Sequence, residues 1–332
     1  MGLRVMTLLA LLASLLILSN ANGVCGRRSL SMEEDLEFTR QLKHLNKPAV
    51  KSIKMSSLIP KETPKEISPS RVEHLDLRLQ GGGCPSGTVP IRRTTKEDLI
   101  RWKSFSNSSG NIHQFLNEGT GKTHVNPKLY GDNKTHIFGH WTADGFLKTG
   151  CFNYLCNGFV QVSKSLALGQ ILTVHPITHG HMPVMPMFLY QNIYSKNWFV
   201  AIGDGKMYEA IGYWPPELFD SIKDFAPVVG WRGEVYAPQG EFGSKMGTGQ
   251  FPQHDSASSQ WQSVASFSVV RVYNETYIGV GPYDPSLKNI ADETIYYDVI
   301  DFPYIDDEWR HTFFYGGPGE DIFGPPLESN KD

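Results

Sequence analysis

Between Leu129 and Gln161 the chain packs aromatic side chains among glycines and sets Cys151 and Cys156 five positions apart. Frequent glycine works against a helix and suits turns, while large rings demand a core. Aromatics and glycines are plentiful in the chain as a whole (12% and 32 residues). That mixture favours strands joined by turns over a helical bundle.

The first residues read as an export signal. Arg4 precedes an apolar run from Val5 to Leu18, broken only by Thr7 and Ser14. The run is shorter than the roughly 20 residues a bilayer span needs. Small residues at Ala21 and Gly23 place cleavage between Ala21 and Gly26, with a signal anchor as the alternative. No later stretch is apolar enough to cross a membrane, so the expected mature chain is soluble and free of membrane. Export puts the cysteines in an oxidising compartment. Cys151 and Cys156 then read as a disulfide pinning a short loop rather than a metal site, since structural zinc takes four such ligands. Asn107, Asn133 and Asn274 head Asn-x-Ser/Thr sequons. The net charge of −3 is spread along the chain, which leaves no footprint for nucleic acid.

Composition divides the chain into a signal (1–23), a polar and charged leader (24–122), an aromatic, strand-like part (123–318) and a tail (319–332). The leader holds two capping boxes, Ser31 with Glu34 and Thr94 with Glu97. Met32, Leu36, Thr39, Leu42 and Leu45 mark one helical face after the first, and Pro48 stops it. The Lys, Glu, Ser and Pro of 60–69 read as a solvated linker, and the polar stretch 104–121 as a second one suited to proteolytic removal of a propeptide.

Strands are expected over 137–141, 158–162, 187–193, 198–202, 264–273, 277–280, 294–300 and 311–315. Ser195-Lys-Asn should close a hairpin, Gly203-Asp-Gly-Lys a tight reversal, and Trp214 to Ile222 a short helix started by proline. The fold class that follows is mainly β: an antiparallel sandwich preceded by a small helical and linker segment.

Six blocks carry a resemblance. They are the Leu129–Gln161 stretch, Cys84-Pro-Ser-Gly-Thr-Val-Pro-Ile-Arg-Arg-Thr-Thr-Lys-Glu-Asp-Leu-Ile-Arg101, Gly212-Tyr-Trp-Pro215, Gly230-Trp-Arg-Gly-Glu234-Val, Met246-Gly-Thr-Gly-Gln-Phe-Pro252 and Phe313-Phe-Tyr-Gly-Gly-Pro318. Together they resemble the neprosin family, secreted plant glutamic peptidases built on a β-sandwich. The Cys84 block is similar to the end of that family's activation peptide. The resemblance implies a secreted zymogen, held by its own activation peptide. It implies an acid-active endopeptidase that cuts proline-containing peptides or proteins after proline, in the apoplast or cell wall. A pair of glutamates does the work, with no metal, no cofactor and no covalent intermediate.

One glutamate of the pair corresponds to Glu234. Arg232 stands where the family usually has glycine. Two facing carboxyls do not both ionise cheaply, so they share a proton. One then acts as base toward a water while the other polarises the scissile carbonyl, a division that works at low pH. Trp141, Trp214 and Trp231 are candidates to receive the proline ring, although most tryptophans of a sandwich are core.

The other glutamate belongs to a block resembling Ile-Glu-Ala-Gly-Trp. Matching through Val125 to Tyr130 puts Thr120 at the glutamate and Thr123 at the tryptophan. Glu118 is the nearest acid, two residues out of register, which along a strand is roughly 7 Å. Family members also carry further strands where this chain has 104–121. Cys84 lacks its usual partner, leaving Cys25 as a substitute. Tyr296-Tyr297-Asp298 stands where Cys-Tyr-Asp is typical. The chain thus reads as a shortened member, through either skipped exonic sequence or natural degeneration. The rival function is a non-catalytic extracellular binding module for wall polymers, and behind it a plain structural domain. His175, His179 and His181 have a spacing that could ligate a metal or simply form a solvated loop. Asp132 and Asp144 are expected to hold turns, and Glu209 is a further acid near the strands.

Overall fold

Ser31 and Glu34 close a reciprocal capping box. The Glu34 amide donates to the Ser31 hydroxyl and the Ser31 amide to the Glu34 carboxylate, both at 3.1 Å. This starts helix α1 (Met32–Leu45), whose first turn is acidic and last turn basic, complementing the helix dipole. The face expected from spacing is not the buried one: Met32 and Leu36 are exposed, and Phe38 is buried. The computed structural model describes residues 30–46, 72–75, 77–79, 83–108, 120–125, 127–172, 182–203, 207–235, 243–254, 263–274, 278–282 and 289–319. Two units divide the chain, Met1–His44 and Leu45–Asp332.

The second unit contains the β structure. In chain order it runs β1 (Val72–His74), α2 (Lys96–Ser108), β2 (Thr120–Val125), the single turn α3 (Pro127–Tyr130), β3 (Thr135–Trp141), β4 (Cys151–Phe152) and β5 (Val160–Gln161). Then come β6 (Met182–Val184), β7 (Met187–Gln191), β8 (Trp198–Gly203), β9 (Tyr208–Trp214) and a 3-10 turn (Pro216–Leu218). The last strands are β10 (Ala265–Phe267), β11 (Val272–Tyr273), β12 (Gly279–Val280), β13 (Asp298–Phe302) and β14 (Thr312–Gly316). The pairing is antiparallel except for β1 with β6. The main sheet has the order β5-β9-β8-β7, a second β2-β3-β4 and a third β10-β14-β13. The chain is mainly β, with sheets stacked in the manner of a sandwich.

β3 and the β8–β9 pair make the centre. Ile137 and Trp141 lie on one face of β3, and they pack with Val200 and Ile202 of β8 and Ile211 and Trp214 of β9. The opposite face of β3 presents Phe138, which joins Leu129, Tyr130 and Phe152 in a second cluster that Trp102 of α2 helps cover. β8 is likewise covered on both sides, with Phe199 and Ala201 packed against Phe188, Tyr190 and Tyr213. Strands covered on both faces read as apolar runs, not as alternation. Gly139 lets the sheets meet: a Cβ there would lie 2.8 Å from the Trp214 indole.

The Ser195-Lys-Asn hairpin forms as expected, joining β7 to β8 in register, with Lys196 at φ 59°. β8 and β9 pair antiparallel with Gly203 opposite Tyr208, and residues 204–206 of the expected reversal lie outside the described ones. Several expectations shift. The second helix is capped one residue later, by Thr95 and Asp98: the Asp98 amide donates to the Thr95 hydroxyl at 3.1 Å, and the Thr95 amide to Asp98 at 2.9 Å. Asp98 wins over Glu97 because it is buried between Arg92 and Arg101, at 3.1 and 2.5 Å. The helix expected after Trp214 is only a 3-10 turn, following Pro215. The strand expected over 264–273 breaks into β10 and β11 where Val269 takes φ 54°. The one expected over 294–300 moves to β13, because the Tyr296 and Tyr297 amides both turn back onto Glu293 O. The linker expected over 104–121 yields to α2 up to Ser108 and to β2 from Thr120, with 109–119 outside the described residues.

Candidate active site

Glycine brings the candidate catalytic segment onto the sheet. After the 3-10 turn the chain follows no helix or strand up to residue 235, and Phe225 and Val228 are exposed on it. It is anchored at Gly233, where a Cβ would lie 2.6 Å from the Met246 sulfur and 2.6 Å from the Tyr315 ring. No side chain fits in that gap, so the Gly-Glu-Val block has a steric reason for its glycine. Met246 is itself held to Gly317 by paired backbone hydrogen bonds, 3.0 Å from its amide and 3.4 Å to its carbonyl. Three sequence blocks, around 230–235, 246–252 and 313–318, therefore meet at Gly233, Met246 and Tyr315. Burial pushes the Tyr315 phenol above its ordinary value.

Glu234 follows directly. Its Oε1 accepts from Arg232 Nε in a close ion pair, the two side chains 31% and 39% exposed. The carboxylate is thus reachable from solvent and already carries a counter-ion. Trp231, three residues earlier, is half-buried. Trp141 and Trp214, the other two candidate wall residues, are 7% and 1% exposed and belong to the central core. The Trp141 ring meets Phe219 edge-on and the Trp214 ring meets Phe159 at 4.8 Å, so both rings face protein on the described side. Among the described residues no acceptor meets the buried Trp141 Nε1.

Glu118 lies outside the described residues. Thr120 and Thr123, which match the family's glutamate and tryptophan, lie on β2, with His140 and Ile137 of β3 as their register partners. His140 is fully buried and packs on Phe138, Phe146 and Phe152.

The long signature block folds into a tightly bonded corner. Cys151 and Cys156 form a disulfide with Cα atoms 5.9 Å apart. Thr142 Oγ1 accepts the Phe146 amide at 2.6 Å, and Asp144 accepts the Lys148 and Thr149 amides. Desolvation pulls the Asp144 carboxyl upward, but the bonds from Thr149, Lys148 and Thr142 outweigh it and hold it below the usual value. Asp132 accepts the Lys134 amide and pairs with His136 Nε2 at 2.9 Å. That histidine bond, then the Lys134 amide, holds the Asp132 carboxyl low. His136 Nδ1 faces Gly169 O at 2.9 Å while Tyr130 stacks on the ring at 3.8 Å.

Asn133 and Asn274 are exposed; Asn107 lies in α2. His175, His179 and His181 lie outside the described residues, among which no three metal-ligating side chains gather. No helix among the described residues is long and apolar enough to cross a membrane. Two polar clusters escaped the sequence reading. His311 Nε2 meets Asp301 Oδ1 at 2.7 Å, both side chains largely buried. Glu209 Oε1 accepts from Ser163 and Ser165 hydroxyls at 2.5 and 2.6 Å. Neither was legible beforehand, because each joins residues brought together only by strand register or by a turn packed on a strand.

A sandwich-like β domain, with a solvent-reachable glutamate beside a glycine-mediated contact and a pinned cysteine loop, defines the class. The family model of Neprosin matches residues 104–318, more than half of the chain, and the chain belongs to the neprosin family. That membership supports a peptidase-type function.

Proposed function

We propose that this protein is a secreted acid endopeptidase of the glutamic type, made as a zymogen and cleaving its substrates after proline. The observation that carries the reading is the meeting of three family blocks at Gly233, Met246 and Tyr315, with the reachable Glu234 carboxylate beside them. Its exposure to solvent suits Glu234 to the role of base toward a water. It takes a proton from water as the hydroxide adds to the scissile carbonyl carbon. Glu118, two residues ahead of β2, is the candidate for the protonated partner that polarises the carbonyl oxygen and then protonates the leaving amine. No covalent intermediate and no metal or cofactor is needed for this sequence. Trp231 is the candidate platform for the proline ring. The disulfide suits an oxidising, extracellular setting such as the apoplast or cell wall.

A fluorogenic proline-containing peptide at pH about 3 to 5 tests the reading, since a proton-sharing pair operates there. Hydrolysis that disappears in Glu234→Gln supports it. A folded protein with no hydrolysis moves the assignment to the rival, a non-catalytic wall-polymer binding module. Thr120 at the family's glutamate position is what favours that rival.

A further inference from the structure

The leader is built into the β domain on both sides of a short exposed gap. Upstream, β1 pairs with β6, and the Leu75, Leu79 and Cys84 amides donate to Val184, Ser165 and Lys164 carbonyls at 3.2, 2.8 and 2.8 Å. Leu77 is 6% exposed and lies in the same core cluster as Trp214. Downstream, α2 is tied down by Arg101 Nε to Leu129 O at 3.3 Å and by Trp102, whose ring centroid is 5.5 Å from that of Phe152. Between them, residues 88–93 belong to no helix or strand, and Ile91, Arg92 and Arg93 are exposed. The sequence's other adjacent pair of basic residues, Arg27–Arg28, lies outside the described residues.

We infer that Arg92–Arg93 is a maturation site for a serine endopeptidase selective for paired basic residues, and that the cut protein stays together as two chains. The need for maturation rests on the zymogen reading; the site and the outcome rest on the contacts above. Hydrolysis of the Arg93–Thr94 bond consumes one water and leaves an Arg93 carboxylate and a Thr94 ammonium. The Arg92 side chain is 48% exposed, so its pair with Asp98 competes weakly with a protease subsite. Asp98 keeps Thr95 and Arg101 after the cut, so the start of α2 survives. The guard of the bond is Asn46. It accepts the Thr94 amide at 3.1 Å and donates to the Thr94 carbonyl at 2.8 Å, with Thr94 7% exposed. Opening this latch is a local event that leaves the sheets intact.

The full chain is treated with a paired-basic-selective serine endopeptidase. New N-termini are read by sequencing, and the products are passed over a sizing column with and without denaturant. The expected result is a new N-terminus at Thr94, with both fragments eluting together until denaturant is added. Arg93→Gln, which leaves the Arg92–Asp98 pair in place, abolishes that cut. Asn46→Ala speeds it on the order of tenfold, as losing two hydrogen bonds predicts. Failure to cut after Arg93 while Arg28 is cut overturns the inference, and so do fragments that separate without denaturant. The presence or absence of proline-directed hydrolysis in the nicked protein bears on the proposed function and leaves this inference untouched.

Discussion

Arg232 Nε donates to Glu234 Oε1 across two positions of the chain, so the candidate base brings its own cation. Glu234→Gln should reduce hydrolysis of a proline-containing peptide at least 1,000-fold, on the order of losing a positioned general base, with the fold unchanged by circular dichroism. Arg232→Gly, which brings back the residue usual in the family, should change kcat/KM far less than Glu234→Gln does, because the ion pair it removes is partly exposed.

Trp214 packs closely against Gly139 across the two sheets. A Cβ at Gly139 would come within 2.8 Å of its ring and 3.1 Å of Leu168. Gly139→Ala should therefore destabilise by about 1–3 kcal/mol through overpacking. Trp214→Ala should cost about 3–5 kcal/mol through the cavity it leaves. Urea titration of each variant measures both. In the double variant the alanine at 139 is no longer crowded, so the two losses should add to less than their sum.

The β nature of the chain was legible because its signals are local. Glycines, aromatic runs and the Ser195-Lys-Asn turn act within a few residues, and the strands around Ile137, Phe188 and Val200 stand where spacing put them. The Ser31–Glu34 cap was legible for the same reason. The second cap slipped by one because Asp98 is chosen by two arginines, one of them already anchored to Leu129, and a local motif does not show that. Trp141 and Trp214 could not be separated from Trp231 in sequence: an indole reads the same whether it fills a core or walls a cleft. Gly233 was legible as a family position, but its reason, the approach of Tyr315 and Met246, depends on residues far along the chain.

Cys151 and Cys156 close a loop whose Tyr154 hydroxyl donates to Gln161 at 2.5 Å and accepts the Leu168 amide at 3.2 Å. The loop therefore orders a neighbouring strand and turn as well as itself. Closing so short a loop contributes about 2 kcal/mol by the chain-entropy account. Cys151→Ser should lower stability by that amount. Reductant should lower the midpoint of the wild type to meet the variant's, and should leave the variant where it was.

Asp98, Asp132 and Asp144 each make the fold less stable in acid. Burial alone would raise Asp98, but the Thr95 amide and hydroxyl, then Arg92 and Arg101, bring it below its ordinary 3.8. Asp132 is lowered first by His136, and Asp144 by Thr149, Lys148 and Thr142 against its desolvation. All three titrate lower folded than unfolded. Each therefore contributes in full above the unfolded carboxylate value near 3.8, and its contribution is lost as pH falls through the lower folded value. Stability measured by thermal melting should hold steady from pH 6 to about 5 and fall below about 4. Asp98→Asn should lose about 1–2 kcal/mol at pH 6 and show a shallower decline in acid. Asp132→Asn and Asp144→Asn should flatten the same decline, more weakly because solvent screens them. A wild-type melting profile that rises between pH 4 and 3 would mean these carboxylates do not hold the turns in the way their hydrogen bonds indicate.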